Sequence, residues 1–190
     1  MKFTKMHGCG NDYVYVNGFT EKVADKPKAV VALSDRHFGI GSDGVIFINP
    51  SQQADFEMEM YNADGTRAEM CGNGIRCVGK YAYDHGIVTD SRITVETKAG
   101  IKHLDMQVEK GEVVSVKVDM GVPELTSELP ERIVVDGVET EFVGISMGNP
   151  HAVYYRDEID ALKLEEIGPA YENHPRFPDR VNSEFITVLD

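Results

Sequence analysis

The stretch from Arg92 to Gly121 reads RITVETKAG, IKHLDMQVEKG and EVVSVKVDMG in succession. Apolar and β-branched residues alternate with polar ones, and each run closes on glycine. Period-two alternation broken by glycine turns is the pattern of consecutive antiparallel strands. A chain built this way is committed to a sheet, with any helices packed against it. The same pattern extends upstream. KFTKMHG and DYVYVNG read as two strands with a tight glycine turn between them. GVIFINP and FEMEMYNADG read as two more, the last ending in an Asn-Ala-Asp-Gly turn. Helices are few. KPKAVVALSDRHFG is expected to be helical, opened by Pro27 and closed by Gly39. A second helix is expected from about Gly74 to His85, ended by Gly86. A late one is expected over IDALKLEEIGPAYENHP, stopped by Pro175, and NSEFITVLD reads as a strand.

The strand run stops near Met120 to Pro123, where GVPELTSELPE brings two prolines. The expectation is an α+β domain over residues 1–119 and a shorter piece over 120–190. That piece reads as a partial second copy. GNDYVYV, from Gly10 to Val16, resembles GNPHAVYY, from Gly148 to Tyr155, at an offset of 138 (149 − 11). On this spacing a counterpart of Cys71 would fall near position 209, beyond Asp190.

The 190 residues are 42% hydrophobic and 27% charged, which supports a packed core rather than disorder. The net charge of −13 argues against nucleic acid, which rewards clustered Lys and Arg. No apolar run of about 18 residues is present, so no membrane span is expected. MKFTKMHGCGNDYVYV has no apolar core of the kind a secretory signal needs. The three cysteines are therefore expected as reduced thiols in a cytoplasm.

Two of them lie in MCGNGIRCVGKYAYDHG, from Met70 to Gly86. A zinc site wants paired Cys or His at short spacing, and no second pair accompanies Cys71 and Cys77. Six positions along a helix leave their side chains roughly 120° apart. Cys77 falls on an apolar stripe with Val78, Tyr81 and Ala82 and reads as core. Cys9 lies in a glycine turn and is assigned no chemistry. Cys71 differs. It lies at a helix start, where unpaired N–H groups and partial positive charge favour the thiolate. Gly72 and Gly74 let a ligand approach the backbone, and Asn73 adds amide donors, so the same turn can cradle a carboxylate. A thiolate beside a carboxylate cradle suits removal of the α-proton of an amino acid. A cysteine hydrolase using Cys71 and His151 also fits the residues, as does a small cysteine that merely caps the helix.

MHGCGNDYVYV, FGIGSDGVIFI, MYNADGTRAEMCGNGIRCVGKYAYDHG, VDMGVPEL, MGNPHAVYY and RVNSEFITVLD resemble the diaminopimelate epimerase family, in order and spacing, across the whole chain. Proline racemases are similar in concept, but a His commonly stands there where this chain has Asn73; related isomerases of the phenazine type lack the cysteine. The resemblance implies a pseudo-symmetric two-domain α+β fold. Each domain is a curled, mainly antiparallel sheet around a central helix, and the second is incomplete here. It implies a cofactor-independent, two-base epimerase that interconverts LL- and meso-diaminopimelate in lysine and peptidoglycan synthesis, with a homodimer possible in solution.

By motif match Cys71 would be one catalytic acid/base, and Gly72 and Asn73 would hold the substrate carboxylate. Asn11, Asn62, Asn149 and Asn182 would bond the substrate's polar ends, and His151 would tune thiol charge. The family's second Cys-Gly-Thr-Gly block, the Glu-Arg pair before it and its final strand have no match here, and some members carry Gln where this chain has Gly44. The expectation is that this chain alone has little or no epimerase activity. The rivals are a non-catalytic fragment that binds a small molecule and another proline-racemase-like amino-acid racemase.

Overall fold

A computed structural model describes residues 1–189, and the chain divides into two units, Met1–Met120 and Gly121 onward. The first is a seven-stranded sheet whose strands follow chain order: β1 (Thr4–Gly8), β2 (Asn11–Asn17), β3 (Gly44–Asn49), β4 (Phe56–Asn62), β5 (Arg92–Thr97), β6 (Gly100–Glu109) and β7 (Glu112–Asp119). Pairing is antiparallel except where β2 meets β3 and β4 meets β5, which run parallel. The β1–β2 connection is a two-residue turn with Cys9 at φ 54° and Gly10 at φ 85°. Both residues are left-handed, as a turn matched to strand twist requires. Cys9 therefore occupies a backbone region usually left to Gly or Asn.

The sheet's two faces explain its composition. Tyr13, Tyr15, Ile46, Ile48, Phe56, Met58 and Met60 point to one face, where α2 (Gly72–Asp84) lies. Val14, Val16, Val45 and Phe47 point to the other, against α1 (Lys26–Ser34) and Val30. β2 and β3 are thus covered on both faces, which is why they read as near-continuous apolar runs. Helix α2 packs on β1, β2, β3, β6 and β7, so the sheet curls around it. Gly74 permits the close approach, because a Cβ there would lie 2.8 Å from Ile46 Cδ1.

Two helix boundaries differ from expectation for local reasons. α1 ends at Ser34, not Gly39. The Asp35 carboxylate accepts the N–H groups of His37 (2.7 Å) and Phe38 (2.8 Å), a turn that competes with helix. α2 starts at Gly72, two residues early, because Cys71 itself caps it.

The second unit holds β8 (Glu124–Leu125), β9 (Glu131–Val135), β10 (Val138–Ser146), β11 (Pro150–Tyr155), α3 (Leu164–Glu172) and β12 (Asn182–Ile186). The late helix begins five residues after Ile159 (164 − 159) and tolerates Pro169 inside it. The core is aromatic: Tyr154 meets Phe142, Tyr171 and Phe185 within 5.8 Å between ring centres. Strand β11 pairs antiparallel with β10 and parallel with β12.

This arrangement repeats that of β1, β2, α1 and β3. Helices α1 and α3 are offset by 138 at both ends (164 − 26, 172 − 34). The parallel registers carry the same offset: Tyr13 pairs with Gly44, and His151 with Asn182 (151 − 13, 182 − 44). The resemblance of two short Gly-Asn segments thus extends through strand, helix and strand. Helix α3 corresponds to α1, and among the described residues the second unit has no counterpart of α2.

Candidate active site

Cys71 sits in extended conformation (φ −134°, ψ 120°) at the N-cap of α2. Its Sγ accepts the Gly74 N–H at 3.4 Å, as an N-cap side chain does. On its other side Sγ donates to Asn11 Oδ1 at 3.2 Å. The Asn11 amide nitrogen donates to Asp43 Oδ2 at 2.7 Å, and the Asp12 N–H donates to the same oxygen at 3.0 Å. Arg36 Nη2 donates to Asp43 Oδ1 (2.8 Å) and Asp12 Oδ1 (2.7 Å), and Lys5 lies 3.0 Å from Asp12. The Arg36 bond holds the Asp12 carboxyl well below the usual carboxylate range; partial burial opposes this and Lys5 adds to it.

The parallel pairing of β2 and β3 brings these groups together. It sets Asp43, at the head of β3, beside Asp12, whose carbonyl accepts the Asp43 N–H at 2.8 Å. Tyr13 is almost fully buried beneath Cys71. Burial, with the neighbouring sulfur second, pushes its phenol up to about 12. Gly44 has no room for a side chain: a Cβ would strike the Tyr61 carbonyl and come within 2.9 Å of the Tyr13 ring.

Asn73 occupies the first turn of α2, and its Oδ1 accepts from Arg76 at 2.7 Å. Its amide nitrogen is therefore turned away from Arg76. Gly72 lies beside Met120, 3.7 Å from where its Cβ would be. Asn62 stands across from Gly44 on β4, at the same end of the sheet as Asn11, and its amide donates to Thr66 Oγ1 at 3.1 Å. Cys77 is buried in the core cluster, and all three cysteines are free thiols.

The remaining sequence candidates gather in the second unit. His151 Nε2 lies 3.0 Å from Asn149 Oδ1, and its Nδ1 lies 2.6 Å from Glu184 Oε1. Asn182, paired with His151 across β11 and β12, donates to the Pro150 carbonyl at 3.0 Å. Sequence reasoning missed Asp43, Tyr13, Arg76 and Glu184. Asp43 lies in the quoted GSDGVI block and Glu184 follows Asn182 by two positions, but their roles depend on parallel pairings that no short motif declares. Among the described residues no group of three His, Cys, Asp or Glu could hold a metal ion. Among the described residues no helix is long and apolar enough to cross a membrane.

The family model for diaminopimelate epimerase matches residues 3–126. Diaminopimelate epimerases from Agathobacter rectalis and Acetivibrio thermocellus are each 52% identical over the whole of this chain, which covers 73% and 72% of their lengths. The chain belongs to the diaminopimelate epimerase family. With that it belongs to the isomerases. A diaminopimelate epimerase from Methanococcus maripaludis is 50% identical, and again this chain covers 73% of it. Among solved structures, a Bacillus anthracis phenazine biosynthesis protein of the PhzF family superposes with a TM-score of 0.70 at 19% identity, covering 100% of this chain and 69% of that one. A hydroxyproline epimerase from Agrobacterium vitis gives 0.62 at 18% identity, covering 87% and 52%. These two extend the shared fold beyond the diaminopimelate epimerase family.

Proposed function

We propose that the protein acts on LL- and meso-diaminopimelate as a cofactor-independent two-base epimerase serving lysine and peptidoglycan synthesis. The observation that carries this reading is Cys71 Sγ at the N-cap of α2. There the thiol and the free N–H groups of the first helical turn lie side by side. The substrate carboxylate is held by the Gly72 and Asn73 N–H groups and the Asn73 amide. The positive end of α2 stabilises charge that spreads onto that carboxylate as the α-proton leaves. Cys71 takes or returns that proton. Asn11, Asn62, Asn149 and Asn182 bind the polar ends of the substrate, and His151, oriented by Glu184, tunes the charge of the thiol. Inversion needs a second acid on the opposite face of the α-carbon. Cys77 is buried and Cys9 lies on a hairpin turn, so a polypeptide of these 190 residues offers one positioned thiol and is proposed to invert little or no substrate.

Substrate protection tests the reading. Diaminopimelate is expected to slow iodoacetamide alkylation of Cys71 in this chain, with lysine much less effective and the exposed Cys9 unaffected. Equal alkylation with and without diaminopimelate would count against the assignment. An acyl adduct trapped on Cys71 would favour hydrolysis instead.

A further inference from the structure

We infer that Asp43 is a positioning residue for Cys71: it orients the Asn11 amide so that the thiol rests as the proton-donating member of the catalytic pair. The inference rests on the reading of Cys71 as the proton-transfer group. An asparagine amide presents an oxygen at one end and N–H donors at the other, and either can face a sulfur. The Asp43 carboxylate accepts only, so the Asn11 end that meets it at 2.7 Å is the nitrogen. The end left facing Cys71 Sγ, at 3.2 Å, is the oxygen. An oxygen there accepts the bond of an S–H group and repels a thiolate lone pair. Asp43 is itself fixed, by Arg36 on one oxygen and by the Asp12 N–H on the other. A line of bonds from Arg36 through Asp43 and Asn11 thus ends on the sulfur.

The other titratable groups that face the sulfur are Tyr13 and Tyr15 on β2, and the Tyr13 phenol also lies within hydrogen-bonding reach of both Cys71 and Asn11. Tyr13, a neutral phenol, adds no charge. The second unit lacks this device. At the repeat offset Asn11 corresponds to Asn149 and Asp43 to Val181 (149 − 11, 181 − 43). No carboxylate stands there, and the Asn149 oxygen faces His151 Nε2. The amide clamp that keeps a thiol protonated therefore belongs to one half of the repeat.

The test is the pH dependence of Cys71 alkylation by iodoacetamide in the 190-residue chain, read by peptide mass spectrometry. Exposed Cys9 serves as the rate reference and buried Cys77 as a check on folding. Asp43→Ala and Asn11→Ala are each expected to move the midpoint down by about half to one pH unit, a roughly three- to tenfold faster reaction near neutrality. The double variant is expected to move it no further than either single one, because both act through one bond. Greater access alone would raise the plateau and leave the midpoint in place. If Asp43→Ala exposes Cys77, Asp43→Asn carries the test, with a smaller shift in the same direction. An unmoved midpoint in the folded Asp43 variant, or additive shifts in the double variant, would overturn the inference. No diaminopimelate is involved, so loss of substrate protection would defeat the functional reading while leaving this result to stand or fall separately.

Discussion

Asp12 joins two cations, Arg36 and Lys5, at the end of the sheet that carries Cys71. Its folded-state value lies below the ordinary one. Its contribution to stability is therefore fully present above about pH 4 and is lost as the pH falls below that. Arg36 is half exposed, so solvent screens the pair and keeps its contribution small. Asp12→Asn is expected to lower the urea midpoint at pH 7 and to lower it less near pH 2, where the unfolded carboxyl is already protonated. An equal loss at both values would mean that packing, not charge, is at stake. At this scale Cys71 was legible because glycines flank it just before a helical period. Asp43 was not, because its meaning comes from Asn11, thirty-two positions away (43 − 11).

Helix α2 is held to the sheet by small residues as much as by large ones. Gly74 meets Ile46 Cδ1, and at Gly79 a Cβ would lie 2.8 Å from Leu104 Cδ2. Gly74→Ala is expected to destabilise the first unit by about 1–3 kcal/mol through overpacking, seen as a lower denaturant midpoint. A neutral or stabilising result would show that Ile46 can give way. The strands of the first unit were legible because alternation and glycine turns agree along their whole length. The end of α1 was misjudged because Asp35 breaks the helix by its own side chain. The β9–β10 hairpin was missed although Asp136 (φ 50°) and Gly137 (φ 80°) form a turn that Asp-Gly sequences favour.

Across the whole chain, seven similar residues pointed to a repeat whose full extent lies in backbone register, which single side chains do not reveal. Burial carries a consequence shared by both units. It is the largest cause raising Tyr13 and Tyr61 in the first unit and Tyr154 in the second, each to about 12. Groups raised in the folded state favour it fully below the unfolded value near 10, and that advantage is lost as the pH climbs toward 12. Alkaline unfolding followed by tyrosinate absorbance is expected to be cooperative within that window. Gradual titration of all eight tyrosines near pH 10 would contradict the burial described.

The proposed chemistry of the chain turns on one proton. With LL-diaminopimelate in D2O, the 190-residue chain is expected to place one deuterium on an α-carbon slowly and with the LL configuration retained. Cys71 can take the α-proton only when deprotonated, and it then returns a proton to the same face, so the exchange is slow and retains configuration. Cys71→Ala is expected to abolish the exchange. Mass spectrometry with chiral separation reads both results at once. Undiminished exchange in Cys71→Ala, or rapid conversion to the meso isomer by this chain, would contradict the account.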